Sequence, residues 1–260
     1  MVRLGILMMQ DRNDLNYISK ANYEWLTSAG IELVPILSTC TGAEAAAYFE
    51  YIHGFYIPPG FAGEHEQPQI LRLIRTFMVM AEKESDYFPV WGTCFGMQQL
   101  MLYVSRLSGL DSFNSRDYYN KIHGNITVKD YKGSRLLKAA PPRFFQTYLP
   151  WFDHGEGLTV SQFVSNRALT KKFHLLAKTH DRAGKEYVAL IEARDRPWYG
   201  CQFHPEYHTP IRETKWIAQF IRSECEKSTH TGFLPRPIPI LRPRTCVGHN
   251  GTSPCLTDTS

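Results

Sequence analysis

The segment best suited to chemistry spans residues 91–96, Trp-Gly-Thr-Cys-Phe-Gly, and lies between a predicted strand and a predicted helix. Glycines stand two residues before and two residues after Cys94, as in a cysteine counterpart of the nucleophile elbow. They leave room for a sharp reversal that presents the thiol at a helix N-terminus, where the helix dipole and free N–H groups favour a thiolate. The backbone N–H of Phe95 is then positioned to bind the oxyanion of an acyl intermediate. Taken alone, the motif fits a buried structural cysteine in a turn equally well.

A second motif, residues 200–206 with the sequence Gly-Cys-Gln-Phe-His-Pro-Glu, supplies a base at the end of another predicted strand. His204 and Glu206 point the same way if the chain is extended there, and Pro205 favours that conformation. Glu206 can then orient the imidazole while the other ring nitrogen takes the thiol proton. The alternatives are a solvated surface turn and a metal site of His204, Glu206 and His208, for which the sequence offers no further ligand.

These two motifs need a scaffold that holds them at one edge of a sheet. The sequence predicts buried strands at 4–9, 31–37, 54–57 and 88–91, with amphipathic helices at 18–29, 43–51, 70–81 and 98–107. Further strands are predicted at 187–191 and 199–203, and a closing helix at 216–221. Strand–helix alternation predicts an α/β fold with a mostly parallel sheet and helices on both faces. Ligands bind such sheets at the carboxyl ends of the strands, where Gly60 and Cys94 both lie.

The chain divides into a predicted catalytic domain at 1–226 and a Pro-rich tail at 227–260. The tail is rich in Pro, Thr, Arg and Ser and has no apolar periodicity, so we expect it to be disordered or loosely extended. Its two cysteines, Cys246 and Cys255, could pair in an oxidising compartment, although nothing in the sequence requires it.

The composition is that of an ordinary soluble protein, with 43% hydrophobic and 21% charged residues and a net charge of +4. No basic stripe interleaved with aromatic residues suggests nucleic-acid binding, and no segment is long and apolar enough to suggest a membrane partner. The cysteines show neither a Cys-x-x-Cys pair nor zinc-ligand spacing, so no metal is predicted. Without a visible signal peptide, we expect a cytoplasmic protein and interpret the two Asn-x-Thr triplets as chance.

Gly92-Thr93-Cys94-Phe95-Gly96 and Gln202-Phe203-His204-Pro205-Glu206 together resemble the class I glutamine amidotransferase superfamily. Within it, the stretches 86–94 and 199–206 are most similar to the γ-glutamyl hydrolases, which trim polyglutamate tails from folates. The resemblance implies a three-layer αβα sandwich and a small γ-glutamyl substrate. It also implies a triad of Cys94, His204 and Glu206 that needs no cofactor. Vacuolar, lysosomal or extracellular location, as in that family, is the alternative to the cytoplasm, and a homodimer is left open.

Three departures from the family pattern concern substrate choice. The family's oxyanion loop usually reads Pro-Gly-Gly, whereas this chain has Pro59-Gly60-Phe61, and a positive φ at Phe61 would cost a bulky residue energy. Gln98 replaces the usual Glu of the hydrolases and matches the glutamine amidotransferases, in which this group helps to hold the glutamyl end of the substrate. A substrate-contacting His expected after Leu158-Thr159 is replaced by Phe163-Val164.

The sequence therefore predicts a cysteine hydrolase of γ-glutamyl amides that acts through a glutamyl thioester. The resemblance implies folate polyglutamates as the substrate, and Gln98 and Val164 leave other γ-glutamyl compounds open. Cys94 is the predicted nucleophile, His204 the base and Glu206 the residue that orients it. Substrate and oxyanion contacts are assigned to Gly60, Phe61, Phe95 and Gln98. One rival, favoured by Gln98, is a glutaminase subunit that passes ammonia to a synthase. The other, favoured by Phe61 and the missing His, is a non-catalytic binding relative.

Overall fold

A computed structural model describes residues 1–60, 68–112, 126–128, 132–207, 211–234, 237–248 and 251–258. The strands are β1 Arg3–Leu7, β2 Met9–Gln10, β3 Asn16–Ser19, β4 Glu32–Ile36, β5 Gly54–Ile57, β6 Val90–Thr93, β7 Asp111–Ser112, β8 Thr127–Val128, β9 Glu156–Gly157, β10 Phe173–His180, β11 Glu186–Ala193, β12 Trp198–Cys201, β13 Leu241–Gly248 and β14 Gly251–Asp258. The α-helices are α1 Lys20–Thr27, α2 Gly42–Tyr51, α3 Pro68–Lys83, α4 Phe95–Ser105, α5 Arg135–Ala139, α6 Phe144–Thr147, α7 Val160–Ser165, α8 Arg167–Lys172 and α9 Lys215–Cys225. Pro205–Tyr207 and Ile211–Glu213 form single 3-10 turns.

The chain divides into two compact units, and the first comprises residues 1–90 and 221–260. In it, β1 pairs in parallel with β4 on one side and with β5 on the other. Helices α1, α2 and α3 follow β3, β4 and β5 along the chain, so the predicted strand–helix alternation is confirmed here. Helix α3 buries Ile70, Leu73, Ile74, Phe77, Met78 and Ala81, which are the six residues that the helical period placed on its apolar face.

The C-terminal segment differs from the disordered tail that we expected. Strands β13 and β14 form an antiparallel hairpin, and Cys246 and Cys255 are joined by a disulfide. β14 also pairs with β3, with Cys255 opposite Ser19, and both cysteines are buried. Apolar periodicity did not reveal these strands because cross-strand pairing and a covalent bond hold them, and neither leaves a periodic signal in the sequence.

The second unit spans residues 91–220, and its sheet strands follow the order β6-β12-β11-β10-β8. The pairs β12–β11, β11–β10 and β10–β8 are antiparallel. Helix α4 follows β6 directly, and β12 ends at Cys201, just before the His204 motif. The predicted α/β class, with helices around a mostly parallel central sheet, is confirmed.

Across the part of the chain that the structure describes, no helix combines the length and the apolar character needed to cross a membrane.

Candidate active site

Cys94 occupies the sharp turn between β6 and α4. It is the N-cap residue of α4 and has φ 51° and ψ −108°, a conformation that costs a non-glycine residue about 1–3 kcal/mol. Two backbone hydrogen bonds hold it there: Cys94 N donates to Cys201 O at 2.7 Å, and Gln98 N donates to Cys94 O at 3.1 Å. The side chain is buried, and the sulfur lies 3.9 Å from the carbonyl oxygen of Asp153. The chain therefore reverses sharply at Cys94, as the Gly-x-Cys-x-Gly motif predicted, and the backbone there is strained.

Two glycines make this turn sterically feasible. A Cβ atom on Gly92 would overlap the backbone of Gly96 and would lie 2.6 Å from the backbone nitrogen of Met97. A Cβ atom on Gly200 would lie 2.6 Å from the Met97 side chain and 3.2 Å from the carbonyl oxygen of Gly92. The first turn of α4 thus packs directly on the strands behind it, which only glycine permits.

His204 and Glu206 form a buried pair within the second unit. His204 Nδ1 lies 2.8 Å from Glu206 Oε1, and His204 N donates to Trp151 O at 2.8 Å. Strand alternation does not produce this pairing, contrary to our expectation, because Glu206 lies in the 3-10 turn that begins at Pro205. The ring of Tyr207 stacks on the imidazole, with centroids 5.0 Å apart and planes 20° apart.

The charges around His204 favour a protonated imidazole. Burial alone lowers its pKa, but the negative charges of Glu206 and of the Cys94 sulfur, together with the hydrogen bond to Glu206, raise that pKa well above its usual value. Nδ1 is engaged by Glu206, whereas the buried Nε2 meets no hydrogen-bond partner among the described residues. Nε2 is therefore the nitrogen left to exchange a proton with a thiol, as in Cys–His pairs.

Two glutamine side chains complete the surroundings of the thiol. Gln202 Nε2 lies 3.4 Å from the Cys94 sulfur, and Gln202 Oε1 lies 3.4 Å from Gln98 Nε2. Gln98 Nε2 also donates to Glu156 O at 2.7 Å. Sequence reasoning singled out Gln98 as a substrate contact, which stays a prediction, and assigned no role to Gln202. Its position two residues before His204 was the sequence signal that could have indicated a place near the thiol.

His154 is a buried histidine that sequence reasoning missed. Its Nδ1 lies 2.9 Å from Glu156 O, and a carbonyl can only accept, so Nδ1 carries the proton. Burial lowers the pKa of His154 to about 4, which leaves the ring neutral and Nε2 an acceptor.

The positions where a His was expected, Phe163 and Val164, lie on α7, where Phe163 is buried and Val164 is 61% exposed. A histidine next to Asp153 is thus present near Cys94, although not at the predicted position.

The remaining predicted residues are placed as follows. Gly60 lies in the first unit, two residues after the Pro58 that follows β5, and a Cβ atom on it would approach the Met9 side chain within 2.6 Å. Phe61 and His208 lie outside the described residues. Phe95 is the first residue of α4, next to Cys94. The roles predicted for Gly60, Phe61 and Phe95 stay predictions. Within the described ranges, no group of three His, Cys, Asp or Glu side chains is arranged to hold a metal ion.

Comparison with known proteins gives a consistent family. The model of the family described as glutamine amidotransferase class-I matches residues 20–223. The chain is 26% identical to γ-glutamyl hydrolase B of Dictyostelium discoideum, over 83% of this chain and 67% of that protein. It is 27% identical to human γ-glutamyl hydrolase, over 87% of this chain and 78% of the human one. Among solved structures, the glutaminase domain of Trypanosoma brucei CTPS with bound acivicin superposes with a TM-score of 0.63 at 16% identity, covering 92% of this chain and 98% of that one.

Proposed function

Because this chain belongs to the class I glutamine amidotransferase family, we propose that it is a cysteine hydrolase that cleaves γ-glutamyl amide bonds. The observation that carries the proposal is the arrangement of Cys94 on a strained turn beside a His204 whose Nδ1 is held by Glu206 at 2.8 Å. The γ-glutamyl bond is proposed because the relatives over most of the chain are γ-glutamyl hydrolases.

In the acylation step, the Cys94 thiolate attacks the γ-carbonyl carbon of the substrate. The N–H of Phe95, at the first position of α4, donates to the oxyanion that forms. The tetrahedral intermediate collapses to a thioester between Cys94 and the glutamyl γ-carbonyl as the C–N bond breaks. The protonated His204 gives its Nε2 proton to the leaving amine, and Glu206 keeps the ring in the required orientation.

In the deacylation step, neutral His204 takes a proton from water as the oxygen attacks the thioester carbon. The C–S bond breaks, the glutamyl part of the substrate leaves with a free γ-carboxyl group, and the thiolate–imidazolium pair is restored. The charges that raise the pKa of His204 favour this resting pair.

The experiment is hydrolysis of folate pentaglutamate and of free glutamine by the wild-type protein, Cys94→Ala and Cys40→Ala. Cys40 lies in the first unit, takes no part in the disulfide, and serves as the matched control. We expect the wild type and Cys40→Ala to release glutamate or shorter folates, and Cys94→Ala to be slower by roughly 10⁴-fold or more. Equal rates for wild type and Cys94→Ala would contradict the proposal.

A second candidate is a glutaminase that serves a synthase, and Gln98 is the observation that favours it. Position 98 carries the residue of the glutamine amidotransferases, and the fold is shared with a glutaminase domain. Turnover of glutamine but not of folate pentaglutamate would favour this candidate. A folded protein that turns over neither substrate would favour a non-catalytic relative.

A further inference from the structure

The Cys94 sulfur is the end point of a short chain of amide hydrogen bonds that the reaction scheme above does not use. Gln98 Nε2 donates to Glu156 O at 2.7 Å and lies 3.4 Å from Gln202 Oε1, and Gln202 Nε2 lies 3.4 Å from the sulfur. We propose that Gln202 is a positioning residue that donates an N–H to the Cys94 sulfur, and that Gln98 fixes the orientation of the Gln202 amide. The inference rests on the proposed role of Cys94 as nucleophile.

The orientation of each amide follows from its partners. The Glu156 carbonyl can only accept, so the NH₂ group of Gln98 must face it. The second proton of the same NH₂ group is then directed to an oxygen of Gln202. Gln202 consequently turns its own NH₂ group toward the sulfur. The Glu156 carbonyl therefore fixes the direction of each hydrogen bond in the series. Only one orientation of the two amides satisfies all three contacts.

Burial strengthens this series of hydrogen bonds. The Gln202 side chain is fully buried and Gln98 is 7% exposed, so water cannot replace either amide as a partner of the sulfur. An N–H donated to a thiolate is a charge-assisted hydrogen bond, which is stronger than a neutral one. Gln202 therefore favours the charged form of Cys94 before attack and again when the thioester breaks and the thiolate leaves.

The same geometry explains why an amide stands at position 98. A carboxylate there could donate neither to Glu156 O nor to Gln202 Oε1. It would instead attract the NH₂ group of Gln202, and the flipped amide would present its oxygen to the sulfur. Residue 98 thus acts on the nucleophile through Gln202.

The test is the rate at which iodoacetamide alkylates Cys94, followed by mass spectrometry of the Cys94 peptide as a function of pH. It needs no substrate, so its outcome is independent of the γ-glutamyl proposal. For Gln202→Met, we expect alkylation at neutral pH to slow about tenfold and the midpoint of the pH profile to rise by about one unit. For Gln98→Met, we expect a smaller change in the same direction.

The double variant Gln98→Met with Gln202→Met should behave like Gln202→Met alone, because Gln98 acts through Gln202. The matched control is Gln162→Met. Gln162 caps α7 and donates to Asp111, remote from the thiol in sequence and in its contacts, so its profile should match the wild type. The titratable side chains around the thiol and its base are unchanged in these variants: His204, Glu206, Cys201 and His154.

An unchanged alkylation profile for Gln202→Met would overturn the inference, and so would additive effects of the two substitutions. If Gln202→Met does not fold, Gln202→Glu keeps the shape and removes the donor. It should slow alkylation at least as much, and a wild-type profile for it would equally refute the role of Gln202. The Gln202 and Gln98 variants could change alkylation as expected while the wild type shows no γ-glutamyl turnover. That result would refute the proposed function and leave this inference standing.

Discussion

His204 Nδ1 lies 2.8 Å from Glu206 Oε1, and both side chains are buried beside the Cys94 turn. The carboxylate does two things in this position. It binds Nδ1 and so leaves Nε2 for the thiol. It is also one of the two negative charges that raise the pKa of His204.

Glu206→Gln should lower turnover by roughly 10²–10⁴-fold, because the neutral amide neither stabilises the imidazolium nor selects its tautomer. The pKa of His204, followed by NMR titration, should fall at the same time. Glu186→Gln is the control, since Glu186 is an exposed residue of β11 that pairs with Lys178. An unchanged His204 titration in Glu206→Gln would show that Glu206 has no such role.

Acid stability should depend on His154. Its folded-state pKa is about 4, below the ordinary 6.5, because burial disfavours the charged ring. The unfolded chain therefore binds an extra proton between these values, and stability falls as the pH drops from about 6.5 to about 4, by up to about 3 kcal/mol.

His154→Gln should remove this part of the acid destabilisation and keep a donor for Glu156 O. Urea unfolding at a series of pH values measures the effect. His180→Gln, in which an exposed histidine is replaced, should retain the wild-type slope. Parallel slopes for wild type and His154→Gln would contradict the assignment.

Gly92→Ala should destabilise the second unit by roughly 3–5 kcal/mol, because the new methyl group overlaps the backbone of Gly96 at the start of α4. Chemical unfolding would measure the loss. Gly109→Ala is the control, since a Cβ atom there meets no atom within 4 Å. If Gly92→Ala were as stable as Gly109→Ala, the tight packing of the turn would be refuted.

Loss of the Cys246–Cys255 disulfide should loosen the C-terminal hairpin. The bond closes a loop with a sequence separation of 9, for which chain entropy gives about 2–3 kcal/mol. Cys246→Ser with Cys255→Ser should raise proteolytic cleavage within β13 and β14, measured by limited proteolysis. The control Cys40→Ser should be cleaved at the same rate as the wild type. If the double variant were also cleaved at that rate, pairing with β3 alone would hold the hairpin, and the prediction would be wrong.

Short-range signals identified most of the scaffold. The apolar period of α3 named all six residues that the helix buries, and the glycines around Cys94 indicated a sharp turn between a strand and a helix. Such features depend on neighbours within one or two turns of chain, so sequence patterns record them directly. The γ-glutamyl resemblance likewise rests on two contiguous motifs.

What the sequence determined by itself was the α/β class, the turn that carries Cys94 and the presence of a His and a Glu after a second strand. Only the tertiary structure decided which groups form hydrogen bonds around the thiol. Gln98 meets Glu156 across 58 residues and Gln202 across 104, and β14 reaches β3 from the far end of the chain. A hydrogen-bond donor, a neutral buried histidine and the pairing of β14 with β3 are set by partners distant in sequence. No local pattern encodes those partners, because their energies arise only when folding brings the groups together and removes water from them.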